Sequence, residues 1–337
     1  MLTSLAPEPS SRRTSTRRIL IVGRAGEFRT ESSLARAAHR LGHTSLVLDS
    51  TARRRWLGPL ATTMLLRQAD RFAADTVILT RHAGMLEERV LDRLTRGRRV
   101  LTWYLDFHPT AEAKVVRAAR ASDTLYVTCP TMRQSYSREG IGDVRWLPMA
   151  LDPELDFPET EAPGEYACDV SFVGSGQFPE RNALLRRVAA AAGLQIRGAS
   201  WPRARDLPVA GGPARGQAFR YAVRGASISL GAYATGAQAV APACISNRVW
   251  KVMGCGGFFL GAASPGIEVL YDEGRHMAAF SSDDEAVEQV RHWLARPDER
   301  AAVAASGRAH ALAHHTYEHR LRTMLGETDP PITPDAR

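Results

Sequence analysis

Cysteine is scarce in this chain. Four occur in 337 residues, Cys129, Cys168, Cys244 and Cys255, and none sits at a metal-ligand spacing. That argues against a disulfide scaffold or a structural zinc site, and for free thiols in a reducing compartment. No run of about 18 apolar residues occurs, so no transmembrane helix is expected. The segment MLTSLAPEPSSRRTSTRR lacks the long apolar core of a secretory signal. It reads as a disordered basic tail over 1–17, and the cytoplasm is the expected location. Helix-turn-helix, zinc-finger and interleaved aromatic–basic motifs are missing, which argues against a dedicated nucleic-acid-binding module. The fingerprint G-x-G-x-x-G is missing too. The first glycine loop, GRAGEFRTES, has only Gly23 and Gly26, so a nicotinamide or flavin cofactor is not expected.

What is present is ordinary for a globular protein: 44% hydrophobic and 24% charged residues. The length exceeds what one core usually fills, so two domains are expected. Net charge is +8, with arginines at 12, 13, 17 and 18 in the tail and clusters at Arg53-Arg54-Arg55 and Arg96, Arg98, Arg99. That surplus suits phosphates, nucleic acid or a membrane surface, or is simply a solvated arginine-rich exterior.

Apolar runs and helical periods alternate. RILIVG, TSLVLDS, DTVILT, RVLTWYLD, TLYVTC and VRWLPM read as strands, separated by amphipathic stretches such as ESSLARAAHRLGH and MLEERVLDRLTRG. ALDPELDFPETEAPGEYAC has three prolines and no period, which marks a linker. The pattern then restarts with DVSFVGSG, LQIRGA, SISLGAY and FFL. The fold class is α/β: two Rossmann-like doubly wound domains facing a cleft. The expected division is 18–150, a linker at 151–166, 167–310, a C-terminal helix at 311–326 that crosses back to the first domain, and a flexible 327–337. The helical period itself runs from about 298 to 325 without an obvious break.

Loops after strands are where ligands are expected. In the first domain, Glu27 and Arg29 follow the first strand, His82 the third, and Asp106 and His108 the fourth. A carboxylate and an imidazole at strand ends suit a general base, with Glu27, His82, Asp106 and His108 as candidates. A strand-end histidine is equally a common structural group. In the second domain, Gly174, Ser175 and Gly176 form a glycine loop whose amides are free to cradle a phosphate, with Arg181 following. In SNRVWKVMGCGGFFLG, Asn247, Arg248 and Lys251 share one face of a helix that feeds a buried strand. Cations at such an N-terminus make an anion site, unless Arg248 pairs with an acid such as Asp272 or Glu268. Pro265 and Gly266 precede another short helix. Two helix starts and a glycine loop suggest a diphosphate, and a nucleotide-sugar is the ligand that joins a diphosphate to a second, acceptor-holding domain.

The stretch SNRVWKVMGCGGFFLG, then PGIEVLY, then RHWLARPDERAAVAASGRAHALAHHTYEHRLRTML resembles the C-terminal half of group 1 glycosyltransferases of GT-B fold, in their spore-maturation-type branch. The resemblance rests on Asn247 and Arg248, Gly256 and Gly257, Gly266 to Glu268, Pro297 to Arg300, and His315, Thr316, Tyr317 and Arg320. WYLDFHP looks like that branch's aromatic strand ending in aspartate. The resemblance implies a hexosyl- or pentosyltransferase using a UDP- or GDP-sugar as donor substrate, with no cofactor and no metal. It implies donor contacts from Gly174, Ser175, Arg181, Tyr233, Asn247, Arg248, Lys251, Gly266, Ile267 and Glu268. Retaining relatives carry two glutamates with seven residues between them; those positions fall here on Ala243 and Lys251. Lysine cannot accept the ribose hydroxyl bonds that the second glutamate usually makes. A cation there suits the diphosphate or a phosphate on the sugar instead. Two alternatives follow: a glycosyltransferase acting on modified bases in DNA, and an inactive nucleotide-sugar-binding protein.

Overall fold

A computed structural model describes residues 16–51, 59–201, 206–232, 245–264 and 267–327. Arg12, Arg13, Arg53 to Arg55, Tyr233, Ala243, Cys244, Pro265 and Gly266 lie outside them. For residues 59–61 and 267 only the backbone is described.

The first sheet holds β1 (Arg18–Gly23), β2 (Thr44–Asp49), β3 (Thr76–Leu79), β4 (Arg99–Tyr104), β5 (Thr124–Val127) and β6 (Val144–Trp146). Their order is β2-β1-β3-β4-β5-β6, all parallel. Helices α1 (Thr30–Arg40), α2 (Pro59–Phe72), α3 (Glu88–Thr95), α4 (Ala113–Arg120) and α5 (Met132–Arg138) connect them. Parallel strands need such crossovers, and helices on the sheet faces explain why the strands read as continuous apolar runs. Ile19, Leu20, Ile21 and Val22 are all fully buried.

The second sheet holds β7 (Cys168–Val173), β8 (Leu194–Arg197), β9 (Val209–Gly211), β10 (Ala226–Gly231), β11 (Phe259–Ala262) and β12 (Ala278–Phe280). It is parallel too, in the order β12-β11-β10-β7-β8-β9. With it go α6 (Pro179–Ala189), α7 (Gln217–Arg224), α8 (Arg248–Gly254), α9 (Asp283–Leu294) and α10 (Pro297–His314).

The chain then breaks at His315 and Thr316 and resumes as α11 (Tyr317–Leu325). This corrects the single helix expected from the sequence. Thr316 and His319 form a capping box that starts a new helix. Leu151 pairs with Thr316 in a parallel bridge, which occupies backbone a continuous helix would use. α11 buries Tyr317, Leu321, Met324 and Leu325 in the first domain's core beside Leu34, Ile19 and Trp103. Arg320, 6% exposed, donates to the carbonyls of Pro148 at 2.7 Å and Met149 at 3.0 Å, tying the last helix to the end of the first domain.

The proline-rich linker is held by ion pairs on both sides. Buried Asp152 pairs with Arg36 of α1, and Asp156 with Lys251 of α8 at 3.4 Å. Glu159 pairs with Arg220 of α7. Among the described residues, no helix is long and apolar enough to cross a membrane.

Candidate active site

In a parallel sheet every strand ends on the same edge, so the loops after the strands collect there. The loop after β7 carries Gly174, Ser175 and Gly176. Its glycines serve close packing and do not free amides, contrary to the expectation. The Gly174 amide donates to the Arg197 carbonyl at 2.9 Å and the Gly176 amide to Ala199 at 3.0 Å. A Cβ at Gly176 would lie 2.5 Å from Trp201, and one at Gly198 would lie 1.7 Å from the Gly174 carbonyl oxygen. What this loop does present is a hydroxyl. Ser175 Oγ is buried and has no hydrogen-bond partner among the described residues.

Two guanidinium groups lie against the same loop. Arg181, 5% exposed at the start of α6, donates to the Ser175 carbonyl at 2.8 Å and lies 5.6 Å from the Phe172 ring centre. Arg248 lies over the same ring at 4.8 Å. Its guanidinium stands so close above Gly174 that a Cβ there would meet Nη2 at 2.8 Å. Burial, with the Arg181 charge beside it, pulls the Arg248 pKa down to about 9. Burial alone lowers Arg181 to about 10. Among the described residues Arg248 meets no carboxylate: Asp272 pairs with Arg275 instead, and Glu268 is exposed. Phe172, which the sequence did not single out, is the platform for both cations. The arrangement is a largely desolvated positive site, with Arg181 buried and Arg248 half-buried beside a hydroxyl.

The remaining donor-side expectations divide. Lys251 does not join Arg248. α8 turns it toward the linker, where it pairs with Asp156 and lies 5.2 Å from the Phe219 ring centre. Burial raises the Asp156 pKa against the lowering effect of Lys251. Asn247 occupies the N-cap position of α8 without a side-chain capping bond. α8 spans only seven residues, so anion binding here rests on side chains and not on a helix dipole. Ile267 begins the short 3-10 turn Ile267–Val269, and Tyr233 and Gly266 lie outside the described residues. Nothing in the sequence periodicity marked Asp156 as the partner of Lys251.

On the first-domain side, Glu27 is exposed and Arg36 uses only its carbonyl. Asp106 forms an ion pair with Arg81, so its carboxylate is not a free base. His108 is exposed, with Nδ1 held at 2.9 Å from the Thr110 carbonyl. His82 differs. It is half-buried, its ring has no hydrogen bond among the described residues, and burial lowers its pKa, with Glu31 opposing and Arg81, Arg24 and Arg29 assisting. It is therefore neutral near pH 7 and able to take a proton. Among the described residues, no three His, Cys, Asp or Glu side chains are grouped to hold a metal.

Residues 181–326 match the family described as glycosyl transferase-like, which covers less than half of the chain. No curated protein sequence matches. Several solved structures match in fold. The Anabaena protein HepE in complex with UDP-glucose superposes with a TM-score of 0.62 at 13% identity, over 93% of this chain and 100% of that one. Sucrose-phosphate synthase from Thermosynechococcus elongatus gives 0.62 at 13% identity, over 93% and 98%. A glycosyltransferase from Rickettsia africae gives 0.65 at 9% identity, over 93% and 98%. Two parallel six-stranded sheets flanked by helices, matched along almost their whole length, give this chain the GT-B fold of these glycosyltransferase structures.

Proposed function

We propose that this protein is a glycosyltransferase, of the spore-maturation-type branch, that moves a hexosyl or pentosyl unit from a nucleotide-diphosphate sugar to an acceptor on the first domain. The observation that carries this reading is the pair Arg181 and Arg248 on one phenylalanine ring, beside the buried Ser175 hydroxyl, which has no hydrogen-bond partner among the described residues. A diphosphate carries the negative charge and the acceptor oxygens that two guanidinium groups and a hydroxyl recognise. UDP is favoured over GDP, because HepE was solved with UDP and with UDP-glucose.

The chemistry follows from those groups. The acceptor oxygen attacks the anomeric carbon and the bond to the diphosphate breaks. Negative charge grows on the departing oxygen, where Arg248 and Arg181 stabilise it and Ser175 donates. Two fixed cations supply the charge that a metal supplies elsewhere, so the reaction is proposed to be metal-independent. In an inverting reaction His82 takes the acceptor proton; in a retaining one the departing phosphate takes it and His82 positions the acceptor. Tyr233, Asn247, Gly266, Ile267 and Glu268 remain proposed donor contacts around the sugar and ribose. Among the described residues, Cys129, Cys168 and Cys255 are not joined in disulfides, which supports a reducing, cytoplasmic setting.

The test is a thermal-shift panel of nucleoside diphosphates and their sugars on wild type and Arg248→Ala, with and without EDTA. Ligand at about a hundred times its Kd stabilises by about 2.7 kcal/mol. The expected result is a shift from one nucleotide family, unaffected by EDTA and lost in the variant. No shift with any nucleotide at millimolar concentration refutes the reading.

A further inference from the structure

The loop after β1 and the turn into α7 belong to different domains, and they touch. Gly216, at φ 53°, is so close to Phe28 that a Cβ there would lie 2.6 Å from the ring. Phe28 is itself 40% exposed, a large apolar group held at a domain contact with one side open. Arg29 follows Phe28 in the chain and Arg215 precedes Gly216, and the charges of Arg24, from the first domain, and Arg215, from the second, both act on Arg29.

Among the described residues, none of these three guanidinium groups makes an ion pair or a hydrogen bond. Other arginines of the two domains do. Arg36 pairs with Asp152, Arg81 with Asp106, and Arg220 with Glu159. The acids within reach are committed elsewhere. Buried Glu31 accepts from the Thr80 hydroxyl at 2.6 Å and the Arg24 amide at 3.1 Å. Asp49 accepts from the Ala25 amide at 3.1 Å and the Thr51 hydroxyl at 2.8 Å. Burial first, and then the charges of Arg24 and Arg215, lower the Arg29 pKa against the opposing pull of Glu31 and Asp49. Three like charges gathered at a two-domain contact repel one another unless an anion lies between them.

We infer that Arg24, Arg29 and Arg215 form an anion site for the acceptor, which therefore carries a phosphoryl or carboxylate group. This rests on the glycosyltransferase reading and is separate from the donor pair Arg181 and Arg248. Because the cations come from both domains, the anion does two things. It fixes the acceptor between the domains, and it removes the repulsion that opposes their approach. Phe28 offers its open face to the apolar part of the same molecule.

The experiment is calorimetric titration of the UDP-saturated protein with phenyl phosphate, benzoate and benzyl alcohol. UDP occupies the donor cations, so a second anion reports on the acceptor site. At least one anionic probe is expected to bind, with affinity falling as salt rises, and benzyl alcohol to bind at least about tenfold more weakly. Which anion binds tells a phosphorylated from a carboxylated acceptor. Arg24→Ala, Arg29→Ala and Arg215→Ala should each weaken the anion by about tenfold or more while UDP affinity holds. The inference is overturned if neither anion binds better than benzyl alcohol, or if the three variants bind it as wild type does. If no nucleotide binds at all, the donor reading fails by itself; the same titration is then run on unliganded Arg248→Met protein and decides this inference separately.

Discussion

Arg248 and Lys251 are one turn apart on α8, yet Arg248 stands over Phe172 while Lys251 pairs with Asp156, and a pair of methionine substitutions tests the separate duties proposed for them. Lys251→Met keeps an apolar stem of similar length and removes the cation from Asp156 and from the Phe219 ring. Asp156 is 4% exposed, so it loses its charge partner in a desolvated place. Breaking a fully buried pair costs about 3–5 kcal/mol. Three features reduce that figure here. Lys251 is 23% exposed on its side chain, the pair is 3.4 Å long, and Asp156 still accepts from the Asp152 amide at 3.0 Å. A loss of about 1–3 kcal/mol is expected, or roughly 2–10 °C in Tm for a domain of this size. The deficit should shrink on acidification, because a protonated Asp156 needs no cation.

Arg248→Met works the other way. It removes a half-buried charge that repels Arg181, and gives up a cation–π contact worth about 0.5–2 kcal/mol. These nearly offset, so the ligand-free Tm should change little. Nucleotide affinity should fall by about 10- to 150-fold, the loss of one charge-assisted contact of about 1.5–3 kcal/mol. Lys251→Met should leave it within about threefold, well under the 1.4 kcal/mol of a tenfold change. Scanning fluorimetry and calorimetry with UDP read both quantities. If Lys251→Met costs nucleotide affinity as Arg248→Met does, at unchanged stability, Lys251 reaches the diphosphate and the reasoning fails.

Acidification should also destabilise the fold through His276, His310 and His315. Burial lowers the pKa of all three, so they stay neutral in the fold while the unfolded chain takes up protons below about pH 6.5. The loss starts there and deepens toward the lowered folded values, by up to about 1.4 kcal/mol per pH unit for each histidine; Asp156 opposes it as a single group. Denaturant melts at pH 7 and pH 5.5 test this, and equal midpoints contradict it. Arg320→Met should cost about 2–4 kcal/mol, since the Pro148 and Met149 carbonyls lose their buried donor. Its melt should separate into two transitions as the domains uncouple, and a single unshifted transition would count against the tie. Gly174→Ala places a methyl 2.7 Å from Phe172 and 2.8 Å from the Arg248 guanidinium. Nucleotide binding should weaken about tenfold or more, with circular dichroism unchanged; wild-type affinity would show that Arg248 stands elsewhere.

The sequence by itself determined the α/β alternation and the two-sheet division. Apolar runs such as RILIVG and the helical spacing of Leu34, Ala37 and Ala38 are local periodicities, and burial of one face follows from them. It also placed Arg181 and Arg248 at the ends of elements on one edge of the second sheet, because parallel strands put their following loops together. Tertiary structure alone decided which charges meet. Asp156 is distant in the chain from Lys251, and no period links a linker aspartate to a helix lysine. The glycine amides after β7 were spent on the next strand's loop, a long-range pairing that the motif does not encode. The helix break at His315 and Thr316 depends on a bridge to Leu151, made only once α11 returns to the first domain. Arg24, Arg29 and Arg215 come together for the same reason. Loops carry no periodic signal, so their side chains acquire partners, or go without, only when two separately folded sheets face each other.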